Sequence, residues 1–443
     1  MRSSAFEVRG SAPDATGAVA STVSRVSPGA RWTVVDQGIS SASNLLFVAS
    51  VAHSSGVGEF GAFSLAYLVH GLALGSGRAI GGDILLLRAE QQPACLGRDM
   101  RRLLGLVLAL GVVAGLGACS IATWVGGTFG ASLLALGAVL PIVLLQDALR
   151  YCLIARRTPS LAAANDLIWL AVQVVATVAL LGVVPEAGPG SIVLAWASGA
   201  AVALGVGLWQ ARLTPSLRGA SEWFTHDRAR VSSFFGDFAM HSGSTYASAY
   251  LIAGIGKVED VAAVRGSILL FAPLDALFMA VRLVTLLALA RSVALGNSSL
   301  RRQARLVAVF SVGITLAWGA GAVSLPDWIG RAVLGASWEV VTPILVPMAL
   351  AAAAKYSTLP PQAGLRAMGA TRSILSIRVT VTLVMFAGVI VGTYMAGALG
   401  AAIGLAIAYG MDAILSWASF AGNRSRLPPG FAAQQPLAES AAE

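Results

Sequence analysis

The chain has only three cysteines, Cys95, Cys119 and Cys152, an odd number with neither a CxxC pair nor metal-ligand spacing. That excludes a disulfide framework and a cysteine-based metal centre, so each reads as a small packing residue. Charge is equally scarce, since Asp, Glu, Lys and Arg make up 12% of the 443 residues. The four histidines, at 53, 70, 226 and 241, are scattered. With no P-loop, no clustered metal ligands and no GxSxG, the sequence implies no cofactor, no metal and no catalytic residue. It also lacks any long polar stretch in which a soluble domain could form.

What fills the chain is apolar: 56% hydrophobic residues and a mean hydropathy of +0.77. That is the composition of a multispanning membrane protein. A span needs about 20 apolar residues and must pair its backbone groups internally, so unalternating runs of this length predict helices. Twelve fit. The expected order is a disordered cytoplasmic tail over 1–31, spans one to six over 32–212, a cytoplasmic linker over 213–232, spans seven to twelve over 233–421 and a second tail over 422–443.

Basic residues set the orientation. With the amino terminus inside, 24 of the 30 fall in cytoplasmic segments or the helix ends beside them, and outer loops hold two, Lys257 and Arg331. The positive-inside rule then places both termini in the cytoplasm and the protein in the cytoplasmic membrane. The net charge of +9 follows from topology and from attraction to anionic membrane lipids, with no aromatic-basic stripe left over for nucleic acid.

A shift of 201 residues lays DQGISSASNLLFVASVAHSSGVGEFGAF (36–63) on DFAMHSGSTYASAYLIAGIGKVEDVAAV (237–264) without a gap. A unit of six spans is even, so both copies enter the membrane from the same side. The fold class expected is all-α, with twelve helices in two parallel-repeat six-helix lobes. Asp36, Ser40 and Asn44, and their counterparts Asp237, His241 and Thr245, each form a stripe at i, i+4, i+8. Two readings stay open: close helix packing with a dipole-favouring acid, or two polar stripes facing each other across a hydrated cavity.

Four basic residues lie inside spans: Arg78, Arg265, Arg282 and Lys355. A central arginine costs about 3 kcal/mol on lenient insertion scales, so Arg78 and Arg282 each need an acid or an anionic substrate. Asp83, Asp36 and Asp275 are the candidate partners. Arg265 lies near enough to the outer surface to snorkel. Lys355 stands just before Pro360-Pro361, where freed carbonyls suggest a cavity-lining hinge. Asp147, Arg150 and Asp166 read as a structural ion-pair clasp between the fourth and fifth spans.

The stretch DQGISSASNLLFVASVAHSSGVGEFGAFSLAYLV, with its Gly58-Glu59-Phe60-Gly61 turn, resembles the first hairpin of Wzx-type polysaccharide flippases. LGASWEVVTPILVPMALAAAA, Leu334 to Ala354, and GALGAAIGLAIA, Gly397 to Ala408, are similar to that family's tenth and last spans. The resemblance implies the two-lobe MATE-like superfamily fold and a transporter that flips an undecaprenyl-diphosphate-linked oligosaccharide to the outer leaflet for cell-surface polysaccharide synthesis. Its partners would be that substrate, membrane lipids and polysaccharide-assembly proteins. No covalent bond would change, so it would be no enzyme. Arg78, Arg282, Lys355, Ser40, Asn44, His241 and Thr245 are the expected substrate contacts.

Rival readings are a MATE-like ion-coupled exporter of small molecules, with Asp36 or Asp237 as coupling carboxylate, a polysaccharide polymerase, for which every outer loop is short, and a non-transport membrane component. The charge map makes a direct prediction. Cysteines at Gly188 and Lys257 should react with an impermeant thiol reagent from outside, and those at Gly219 and Ser298 only from inside; reversed labelling contradicts the topology.

Overall fold

Polar residues, glycines and prolines interrupt the apolar runs, and the helices end there. The computed structural model describes residues 28–218, 222–223, 227–294 and 300–424, which are helical apart from short turns. The helices are α1 (Pro28–Ser54), α2 (Val57–Gln91), α3 (Leu96–Val125), α4 (Gly127–Ala155), α5 (Pro159–Val183) and α6 (Pro189–Ala211). Then come α7 (Arg228–Phe238, a π turn at Ala239–Gly243, and Ser244–Ile255), α8 (Val258–Ala294), α9 (Leu300–Val323) and the segmented α10 (Asp327–Ala367). Thr371–Arg424 is two helices, α11 and α12, divided at Ala396 and Gly397, where Gly397 takes a φ of 54°.

Among the described residues nine stretches are long and apolar enough to cross a membrane. The last of them holds both α11 and α12, and α1 and α7 miss the threshold through their polar halves. Twelve spans result, in two lobes of six, as the repeat predicts. Of the segments read as tails, 28–31 and 422–424 are helical and the rest lies outside the described residues.

The repeat is visible in the capping of its first hairpins. Glu59 accepts a hydrogen bond from the Gly56 N–H at 3.0 Å, and its counterpart Asp260 accepts one from the Lys257 N–H at 2.8 Å. Both acids thus satisfy backbone donors that a helix start leaves open. Asp260 also accepts from the Ala398 N–H at 2.7 Å, which ties the start of α12 to that of α8.

Lipid offers no hydrophobic drive for helix pairing, so contact depends on close approach. Along α11 and α12, Gly388 faces Gly404 and Gly392 faces Gly400; a Cβ on Gly400 would strike the Gly392 carbonyl. The tenth span differs from its expected extent. Helix begins at Asp327 with a short amphipathic segment to Leu334, anchored where Trp338 donates to Asp327 at 2.9 Å. Its hinge falls at Thr358, with Pro360 and Pro361 in the first turn of the next segment, where proline's missing N–H costs nothing.

The described ends, Pro28 and Arg424, lie on one face, here the terminal face, and the hairpin turns after α1 and α7 on the far face. Toward the far face, buried side chains join the lobes: Phe47 and Val51 of α1 and Phe60 of α2 share a core with Ala262 and Leu269 of α8 and Trp338 of α10. Toward the terminal face the cores separate. Leu289, Ala304, Leu365 and Phe420 cluster within the C-lobe, while Ile84, Leu103 and Leu149 cluster with Trp223 and the first turns of α7. The lobes thus share one core toward the far face, whereas toward the terminal face the C-lobe keeps a cluster of its own and the first turns of α7 pack on the N-lobe.

The seal is made at backbone level. A Cβ on Gly61 would collide with the Val258 carbonyl, and Gly335, at φ 55°, lies against the His53 and Ala52 carbonyls. Overpacking such a contact costs about 1–3 kcal/mol. Gly61→Val should therefore favour opening of the far face. A Cβ on Gly58 would lie 3.4 Å from a Glu259 carboxylate oxygen, so cysteines at the two positions should be bridged by a bifunctional thiol reagent about as long as the glutamate side chain, and about fivefold more slowly with Gly61→Val.

Candidate substrate cavity

Within the N-lobe a narrow cleft is lined by Ser40, Asn44, His70, Arg78, Asp147 and Trp196, among others. Its charges come from four helices. Arg78, in the π turn of α2 at Arg78–Gly82, donates to both Asp147 oxygens of α4, from Nε at 2.9 Å and from Nη2 at 2.6 Å. Arg150, one helical turn along α4, donates from Nε to Asp36 of α1 at 2.6 Å and from Nη2 to Gln37 at 3.0 Å. Asp166 of α5 stands 3.6 Å from the same Nε and accepts from Gln146 at 3.0 Å.

These bonds correct several expectations. Arg78 pairs with none of Asp83, Asp36 and Asp275; Tyr151 hydrogen-bonds Asp83, and the nearest acid in space is Asp147 on the adjoining α4. The clasp of Asp147, Arg150 and Asp166 exists, but its shortest ion pair is to Asp36, and all three residues line the cleft. The stripe of α1 turns into its own lobe. Asp36 is fully buried against Arg150, and Ser40 and Asn44 face the N-lobe cleft rather than the α7 stripe.

In the C-lobe, Lys355 donates to Asp275 at 2.8 Å, and the Tyr356 hydroxyl donates to the same oxygen at 2.7 Å. Asp275 and Lys355 remain 49% and 38% exposed. Charges at mid-span that stay this open face water rather than lipid. Arg282 lies exposed two turns further along α8. Asp237 sits 3.5 Å from Arg378 of α11, and Thr245 is half-buried on α7. The His241 side chain lies outside the described residues. Arg265 does not snorkel: its Nε is buried at the seam, with no hydrogen-bond partner among the described residues, and the guanidinium lies within electrostatic range of Tyr67 and Tyr246.

Sequence reasoning passed over His70 and Trp196. His70 stacks on Tyr67 with centroids 5.0 Å apart and meets the Trp196 ring edge-on at 5.3 Å. Both imidazole nitrogens, the Trp196 Nε1, one oxygen of Asp36 and one of Asp166 are buried without hydrogen-bond partners among the described residues. Such atoms have capacity for water or another polar group. The signal was present, because His70 and Arg78 are eight apart on α2 and so share a face.

No family model matches the chain, and no curated protein sequence does. Solved structures do. A MATE-family multidrug resistance transporter of the MOP superfamily, in an inward-facing conformation, superposes with a TM-score of 0.65 over 89% of this chain and 98% of its own, at 13% identity. The lipid II flippase MurJ, in an inward closed conformation, gives 0.64 over 87% of each chain at 11% identity. A MOP-superfamily transporter from Pyrococcus furiosus, described as having a binding pocket of reverse polarity, gives 0.56 over 89% and 94% at 13% identity. The chain has the two-lobe fold of MOP-superfamily transporters and is a multi-pass membrane protein.

Breaking a buried ion pair from one side leaves the other charge uncompensated, at a cost of about 3–5 kcal/mol. Asp36→Ala and Arg150→Ala should each lower thermal stability well beyond Arg282→Ala, whose exposed side chain should change it by about 0.5 kcal/mol or less. An Arg282→Ala loss as large as that of Asp36→Ala would contradict the assignment of structural and solvated charges.

Proposed function

We propose that the protein moves a lipid-linked oligosaccharide from the cytoplasmic to the outer leaflet by alternating access of its two lobes, with both termini in the cytoplasm. The observation that carries this reading is the partly exposed charge of Asp275, Lys355 and Arg282 at membrane depth. Solvated charge inside a span needs a hydrated path. A large hydrophilic headgroup can occupy such a path while its polyprenyl tail stays in lipid. The basic residues of the terminal face support its cytoplasmic placement. The fold shared with a lipid II flippase is consistent with such cargo.

A second reading, ion-coupled export of a small molecule, draws on the N-lobe cleft, where three carboxylates meet two guanidiniums and one acid is in excess. Flipping of a fluorescent lipid-linked oligosaccharide in proteoliposomes separates the two. Bridging the Gly58→Cys, Glu259→Cys pair with a reducible bifunctional thiol reagent should stop flipping and reduction should restore it, because the far face could no longer open. Flipping at the parent rate in the bridged protein excludes alternating access. Absence of flipping by the parent, with gradient-driven release of a small solute, favours the exporter.

A further inference from the structure

The starts of α3 and α9 stand at matching places in the repeat, since the shift of 201 residues carries Arg101 onto Arg302. Their surroundings differ. Over the start of α3 lies the connector between the lobes: the Ser216 N–H donates to the Arg101 carbonyl at 2.9 Å, and Glu222 accepts from Arg102 at 2.5 Å. A Cβ on Gly105 would strike the Ser216 carbonyl, so the connector rests there on bare backbone. Cations nearby are matched as well, Arg88 by Asp227 and Asp99, and Arg157 by Glu90.

Among the described residues nothing comparable covers the start of α9. Arg301, Arg302 and Arg305 are exposed there, and none of them forms an ion pair with a described residue. Acids are missing from the neighbourhood: positions 276–326 and 340–411, which include α9 and the terminal-side halves of α8 and α10 packed beside it, hold no Asp or Glu. Leu306 stands where the N-lobe has Gly105, and its exposed side chain occupies the place that a connector would need.

Arg302, Arg305, Leu306 and Val309 lie at i, i+3, i+4 and i+7 and so share one face of α9, with Phe310 next to them. Leu306, Val309 and Phe310 are all exposed. This face therefore passes from clustered cations at the membrane surface to bare hydrocarbon within about 10 Å. A soluble anion would answer only the cations. An amphiphile with an anionic head and acyl chains answers both halves.

We propose that Arg301, Arg302 and Arg305, with Leu306, Val309 and Phe310 beneath them, form a binding site for an anionic phospholipid of the leaflet at the terminal face. Because α9 packs on α8 and α10 of its own lobe, the site lies on the lipid-facing flank of the C-lobe, apart from the space between the lobes. It is independent of the cargo that the protein moves.

Native mass spectrometry of the full chain, titrated with phosphatidylglycerol and separately with phosphatidylcholine, tests the site. The parent should bind its first phosphatidylglycerol about tenfold or more tightly than phosphatidylcholine. Substituting Arg301→Gln, Arg302→Gln and Arg305→Gln together should remove most of that preference. Arg98→Gln with Arg101→Gln, two exposed cations at the start of α3, should leave it within about twofold. Equal affinity of the parent for the two lipids, an unchanged preference in the triple variant, or as large a loss in the α3 variant overturns the proposal; the first of these comparisons needs no substitution and so stands even if the triple variant misfolds.

Two further arms separate other occupants. Glycerol 3-phosphate at about tenfold the lipid concentration should not displace phosphatidylglycerol, because it has no chains to lie along Leu306, Val309 and Phe310; displacement would make this a site for a free anion and overturn the lipid assignment. Glu439→Gln with Glu443→Gln should leave phosphatidylglycerol affinity within about twofold, and a tenfold rise would mean that the acids beyond Arg424 hold these arginines instead.

Discussion

The contact between Arg150 and Asp36 decides how the N-lobe is built. A carboxylate carried into a bilayer must meet an opposite charge or water, and Asp36 is fully buried, so its place depends on the guanidinium 2.6 Å away. That requirement rotates α1 until its polar stripe faces α4. The same rotation lets Ser43 and Gln173 of α5 exchange hydrogen bonds, from the Ser43 hydroxyl at 2.5 Å and back to the Ser43 carbonyl at 2.8 Å. The apolar side of the helix is then free for Phe47, which stacks on Trp196 with centroids 4.6 Å apart. A helix too polar to register as a span by composition is held in one because Asp36, Gln37, Ser43 and Asn44 each have a counterpart on a neighbour.

The two lobes join by different physics at their two ends. On the far side the contacts are mainly glycine against backbone and apolar side chain against apolar side chain, which are short-ranged and little affected by salt. On the terminal side the connection runs through charge: Arg88 binds Asp227 at 2.5 Å, lies 3.4 Å from Asp99 and covers the Trp223 ring at 4.5 Å. Apolar and backbone contacts of this kind can part without breaking an ion pair. An ionic link is better placed at the membrane surface, where water can take over its partners when the geometry changes.

The number and type of the helices were legible because a bilayer forces the pattern: backbone pairing makes each apolar run a helix, and an even repeat fixes its sense. Glu59 and Asp260 lay in the same aligned stretch, but their capping of the hairpin turns came from the structure. The partners of the buried charges were not legible. Depth along a helix can be counted from sequence, which is why Asp83 and Asp36 looked suitable for Arg78, but adjacency between helices cannot, and α4 is what stands beside α2. Arg265 was misread for a related reason, since distance from a helix end does not reveal whether a side chain faces lipid or the opposite lobe. The Asp327–Leu334 segment escaped notice because a short amphipathic turn before a span looks like any polar loop.

The indole of Trp223, from the connector between the lobes, donates to the Ile80 carbonyl at 2.8 Å, inside the π turn that carries Arg78. Val231 and Phe234, in the opening turns of α7, settle on the same N-lobe core. The sequence repeat and the unit that packs as one body therefore have different borders. The repeat border precedes α7, whereas the packing border runs within that helix, near its own π turn at Ala239–Gly243. The two halves are not interchangeable: the second lends its first turns to the surface of the first. A chimaera joined at the repeat border would part Val231 and Phe234 from the core on which they settle.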